Sequence, residues 1–95
     1  MKFEHMADIA FKIRGQSLKE IFDHAFTALA FQCPEIIHFR DDSPSPESLN
    51  DIIVRLNHIV GLADAEVGIP LKAVSYHGAL KDIEGLWEWE MIVDV

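Results

Sequence analysis

The chain has 95 residues, with 16 acidic against 8 basic side chains and a formal charge of -8. That length holds one domain with a small core, and the charge balance argues against free-standing nucleic-acid binding, because phosphate backbones would be repelled. Cys33 stands alone, which excludes an intrachain disulfide and a cysteine zinc cluster; no apolar run reaches membrane-spanning length, and Met1–His5 lack a signal-peptide pattern, so a cytoplasmic protein is the expectation.

Residues 3 to 14 alternate. Phe3, His5, Ala7, Ile9, Phe11 and Ile13 fall on one side of a strand, and Glu4, Met6, Asp8, Ala10, Lys12 and Arg14 on the other. Gly15 breaks the strand. Ser17 and Glu20 then form a capping-box pair at the start of a helix, whose stripe is Leu18, Ile21, Phe22, Ala25, Phe26 and Leu29. Pro34 stops that helix. Residues 36–39 read as a short strand, and 41–46 as a turn-rich connector. Ser45 is the expected N-cap of a second helix, with Pro46 at its first position. That helix buries Leu49, Ile52, Ile53, Leu56, Ile59 and Val60 and ends near Gly61.

Residues 64–70 read as loop and 71–77 as a strand. Residues 81–85 form a hairpin connection. The last strand sets Trp87, Trp89, Met91, Val93 and Val95 on one face, and Glu88, Glu90, Ile92 and Asp94 on the other. The fold expected from this order is α+β: a two-layer sandwich with a mostly antiparallel sheet and two helices packed on one face. The face opposite the helices is then open, and Asp8 and Asp94 both belong to it.

The sequence stops inside this strand-like run, which sets the Val95 carboxylate beside the Asp94 side chain. Asp8, Asp94 and that carboxylate are hard oxygen donors, suited to calcium, magnesium or manganese rather than zinc. The plain alternative is that both aspartates are ordinary solvated residues. The five histidines show no zinc-helix spacing and read as structural or surface groups. Cys33 follows an apolar helix, and Ser75 lacks a nucleophile elbow, so neither points to covalent catalysis. Lys72 interrupts an apolar strand; it is either an edge lysine or a cation that organises nearby carboxylates. Trp87 and Trp89 are most simply core, since a base-stacking platform would sit in a negative field.

Four stretches together resemble the archease family. His5-Met6-Ala7-Asp8 resembles its N-terminal His-Thr-Ala-Asp strand, and Gly15-Gln16-Ser17-Leu18 its Gly-x-Ser-Leu helix entry. Leu71-Lys72-Ala73-Val74-Ser75-Tyr76-His77 resembles its Val-Lys-Ala-Val-Thr-Tyr-His signature, and Ile92-Val93-Asp94-Val95 its terminal Phe-Asp-Ile; residues 51 to 57 also look like its second helix. The resemblance implies a non-catalytic accessory of RtcB-type RNA ligases, promoting ligase guanylylation and multiple turnover in tRNA splicing and RNA repair. It implies a divalent metal, calcium favoured over magnesium or manganese, held by Asp8, Asp94 and Val95, with Lys72 as a function-critical residue. Met6 departs from the family's threonine, and the strands that the family carries between about 62 and 70 are missing here. The apolar surface so uncovered would favour a homo-oligomer. Two other classes stand beside this one: a small metal-dependent hydrolase on the same carboxylates, and a metal-free interaction or dimerisation domain.

Overall fold

A computed structural model describes residues 8–40, 45–75 and 78–95. Strand β1 (Ile9–Gly15) leads into helix α1 (Leu18–Gln32). A 3-10 helix (Pro34–Phe39) follows, then helix α2 (Leu49–Val67). Strands β2 (Ala73–Val74), β3 (Lys81–Ile83) and β4 (Leu86–Asp94) complete the fold. β4 is central. β1 runs antiparallel along one edge of it, and β2 and β3 lie antiparallel, one after the other, along its other edge. α1 packs on β1 and β4, and α2 on β2. The α+β sandwich expected from the sequence is therefore the architecture, with both helices against the antiparallel sheet.

The alternation of β1 and β4 sets the core. Ile13, Trp89, Met91 and Val93 are buried toward the helices, and Ala10, Lys12, Arg14 and Glu90 are exposed on the other face. The α1 stripe buries Ile21, Phe22, Ala25, Phe26 and Leu29, with Leu18 half-buried. Ile21, Phe22, Phe26 and Leu29 each contribute about 1.5–3 kcal/mol when fully removed from water, and the Ala25 methyl less. Ser17 caps α1 as expected: its hydroxyl accepts from Glu20 N–H at 3.1 Å. The Glu20 carboxylate reaches back to Gln16 N–H at 2.8 Å, which satisfies a second donor at the helix entry.

Several boundaries differ from the sequence reading. Residues 36–39 are not a strand; they lie in the 3-10 helix, which Pro34 starts. A three-residue period puts Ile36 in the core and Phe39 against it, while Ile37 stays exposed. Arg40 follows, stacked over the rings of Phe22 at 5.5 Å and Phe26 at 4.9 Å. It also holds Asp23 at 2.6 Å, which ties this connector to α1.

The N-cap of α2 is Ser48, not Ser45. Its hydroxyl accepts from Asp51 N–H at 3.1 Å, and the Asp51 carboxylate accepts from Glu47 N–H at 2.9 Å. This reciprocal pair outcompetes the Ser45–Pro46 start, and Pro46 is instead buried ahead of the helix. Nor does α2 end at Gly61. Ala63 continues its buried face and the helix runs to Val67, so most of the expected 64–70 loop is helical. Gly68, at φ 68° and ψ 112°, makes the break, in a region that side chains other than glycine's rarely adopt. The expected 71–77 strand pairs only at Ala73–Val74 in regular ladder form; Tyr76 and His77 lie outside the described residues. β3 and β4 are joined by Glu84-Gly85, both at positive φ (56° and 85°), the conformation that matches strand twist in a two-residue hairpin.

Candidate functional site

The register of β4 decides where the predicted residues fall. Ser75 N–H donates to Ile92 C=O at 2.8 Å, and Lys72 N–H to Asp94 C=O at 2.9 Å. Even-numbered β4 residues therefore turn their backbone groups toward β2, and odd-numbered ones toward β1. Ile9 pairs with Val93 on the β1 side. One step beyond that pair sets Asp8 level with Asp94, on the open face that Ala10 and Ile92 share.

Lys72 reaches the same place by an irregularity. Ala73 is the register partner of Asp94, yet the Lys72 amide also bonds to Asp94. Ala73 of β2 and Lys72 just before it, set against one β4 residue, give the count of a β-bulge, which re-aims the extra side chain relative to strict alternation. Asp8, Lys72 and Asp94, from three separate parts of the chain, thus meet at one end of the sheet, and Val95 follows Asp94 directly. Asp8 and Lys72 are exposed; Asp94 and Val95 are half-buried.

Among the described residues, Asp8, Lys72 and Asp94 form no ion pair, so neither carboxylate is neutralised by a neighbouring cation. No three His, Cys, Asp or Glu side chains gather as a metal-holding group among the described residues. The donors at this end are two side-chain carboxylates plus the main-chain carbonyl of Val95, which follows Asp94 directly. Such an all-oxygen set fits a hard cation that takes its remaining ligands from water or a partner, and it does not fit zinc.

The other candidates stand apart from it. Cys33 is buried with its thiol donating to Glu35 at 3.3 Å; burial, reinforced by the Glu35 carboxylate, pushes its pKa up, which makes it unreactive. His24 Nδ1 lies 2.6 Å from Arg14 C=O and serves as a structural contact, while His38 and His58 are exposed. Trp89 is fully buried, in agreement with the core reading of the tryptophan stripe, and Trp87 packs half-buried against it. His5 lies outside the described residues.

An open depression of about 290 Å³ went unread in the sequence. Lys12, Gly78, Ala79, Lys81, Glu88 and Glu90 line it. It follows from cross-strand pairing: Lys12 faces Glu90, while Arg14 and Lys81 both face Glu88. Arg14 holds Glu88 at 2.7 Å, and this hydrogen bond, with the fields of Lys12 and Lys81, keeps the Glu88 carboxyl below its usual range. The signal was present as alternating charges in β1 and β4, but it required the pairing register to be read. Glu90 is four positions from Asp94, roughly 13 Å along an extended strand, so the depression and the carboxylate end are separate features.

No helix among the described residues is long and apolar enough to cross a membrane. No protein-family model, no curated protein and no solved structure matches this chain.

Proposed function

We propose that the chain is a non-catalytic accessory protein that activates an RtcB-type RNA ligase through a divalent cation, with calcium favoured. The observation that carries this reading is the meeting of Asp8, Lys72 and Asp94 at one sheet end, beside Val95. These are the positions to which the archease resemblance assigns function, and they lie far apart in sequence. A cation held there supplies positive charge to offset phosphate groups at the ligase active site.

In this account Asp8 and Asp94 bind the cation from neighbouring strands, and the Val95 main chain adds to the shell. The set is incomplete by design, because a cation with open positions is the kind that a partner's groups complete. Lys72, exposed on its bulge, addresses the anionic groups of that partner. The acidic surface keeps the chain itself off RNA, leaving substrate contact to the ligase.

The test adds the purified, folded chain to a cognate ligase with GTP and manganese. Guanylylated ligase and RNA joined per ligase are the readouts. The chain is expected to raise both and to convert single turnover to multiple turnover, and Asp94→Asn and Lys72→Ala are expected to lose the effect. No change in either readout, with the chain folded, contradicts the proposal.

A further inference from the structure

The outer edge of β1 has no strand partner among the described residues. Since odd-numbered β4 residues direct their backbone groups at β1, the bonded partners are Ile9, Phe11, Ile13 and Gly15. Ala10, Lys12 and Arg14 must then direct their N–H and C=O groups away from the sheet. The His24 contact to Arg14 C=O confirms this direction from the helix side. It covers one end of the edge and leaves the rest. Among the described elements β1 touches only α1 and β4, and no backbone hydrogen bond reaches Ala10 or Lys12 from that side among the described residues. The opposite edge is managed differently: Asn57 fills both outward-facing groups of Val74.

We infer that the outer edge of β1 is a docking site for an acidic, extended segment of a partner protein, which adds to the sheet as an antiparallel strand. The occupant's chemistry follows from charge. β1, Ile-Ala-Phe-Lys-Ile-Arg-Gly, carries two cations and no acid in a chain of net charge -8. Both cations sit on the open face, where a neighbouring strand's alternate side chains lie level with them. On its inner edge β1 already shows the complement that it accepts, Glu90 opposite Lys12 and Glu88 opposite Arg14. Among the described residues Lys12 forms no direct ion pair.

A second copy is the poorer occupant. Full antiparallel overlap of two β1 strands sets Lys12 against the Lys12 of the other copy, where like charges oppose association, and the registers that set Asp8 against Arg14 or Lys12 instead give up part of the overlap. Asp8 adds a direction: the partner places a basic or neutral residue level with it, at the far end from its acidic pair. Apolar residues between these positions extend over the half-buried Ile9 and Phe11. Main-chain hydrogen bonds supply the affinity in such strand addition, and the alternate side chains supply the specificity.

The probe is a synthetic peptide, Glu-Val-Glu-Val-Thr-Val-Lys with blocked ends, titrated into the full chain with a chelator present, so the outcome is independent of any cation. Amide exchange is expected to slow at Ala10 and Lys12, with little change at Phe11 and Ile13, which β4 already protects. Lys12→Glu is expected to weaken binding about tenfold. Ala10→Pro, which removes an outward N–H without a β4 bond, is expected to abolish it. Equal binding of a peptide with lysine in place of both glutamates would overturn the inference. So would protection of the same amides that rises with protein concentration alone, since the occupant would then be a second copy.

Discussion

Asn57 carries a load that its exposure understates. Val74 opposes Val93 at a position where its own N–H and C=O face away from β4. Asn57, on α2, meets both: its Nδ2 donates to Val74 C=O at 2.9 Å and its Oδ1 accepts from Val74 N–H at 2.7 Å. Asn57→Ala removes two hydrogen bonds, each worth about 1 kcal/mol net, and strips both backbone groups of a residue that is 1% exposed. Leaving such groups unmade costs about 1–3 kcal/mol each, softened where water enters the space vacated by the amide. The expected loss is about 3 kcal/mol, out of the roughly 5–14 kcal/mol available to a domain of this length. That corresponds to a fall in Tm of about 12–24 °C. Urea unfolding with an unchanged slope measures it, and hydrogen exchange at Val74 N–H localises it. A loss under about 0.5 kcal/mol, or unchanged exchange at Val74, would refute the clamp. Because the Lys72 bulge directly precedes β2, the same variant is expected to loosen the carboxylate end.

Gly61 lies on the exposed face of α2 with nothing near a built Cβ, so Gly61→Ala is expected to stabilise by about 0.5–1 kcal/mol, whereas Gly68→Ala, at φ 68°, is expected to destabilise by about 1–3 kcal/mol; chemical denaturation compares the two. Glu84 holds a φ of 56° in the β3–β4 turn, and Glu84→Gly is expected to raise stability by about 1 kcal/mol in the same assay. Asp23 titrates low: burial raises its pKa, but the hydrogen bonds and fields of Arg40 and Lys19 outweigh it. A lowered folded pKa means that the stabilisation is present above the ordinary aspartate value and is lost as pH falls through the folded one. The urea midpoint of Asp23→Asn is therefore expected to vary less than wild type between about pH 5 and pH 2.

Elements with a strong two-sided contrast were legible. β1 and β4 alternate because one face packs on helices and the other meets water, and each residue reports its side. α1 carries both a capping box and a full apolar stripe, so its start and buried face were readable. Illegible parts turned on competition between local signals. Pro34 both stops α1 and starts the 3-10 helix, and Ile36-Ile37 looks β-like until the three-residue period separates the buried isoleucine from the exposed one. Ser45 and Ser48 are both acceptable caps, and the Asp51 carboxylate decides between them. Gly61 resembles a terminus, but helix packing through Ala63 overrides its local cost of about 1 kcal/mol. The charge depression, the Asn57 clamp and the Lys72 bulge depend on register, which periodicity alone does not fix. For the carboxylate end, parity placed Asp8 and Asp94 on one face, and the pairing of β1 with β4 brought them level.

The most direct test of the central claim is a calorimetric titration of the folded chain with calcium, repeated with manganese, for wild type and for Asp8→Asn and Asp94→Asn. The account predicts one saturable site and a rise in Tm with cation in the wild type, and loss of both in either variant without a change in fold. Wild-type binding that survives both substitutions, or no binding at millimolar cation, would contradict a metal site at this end of the sheet.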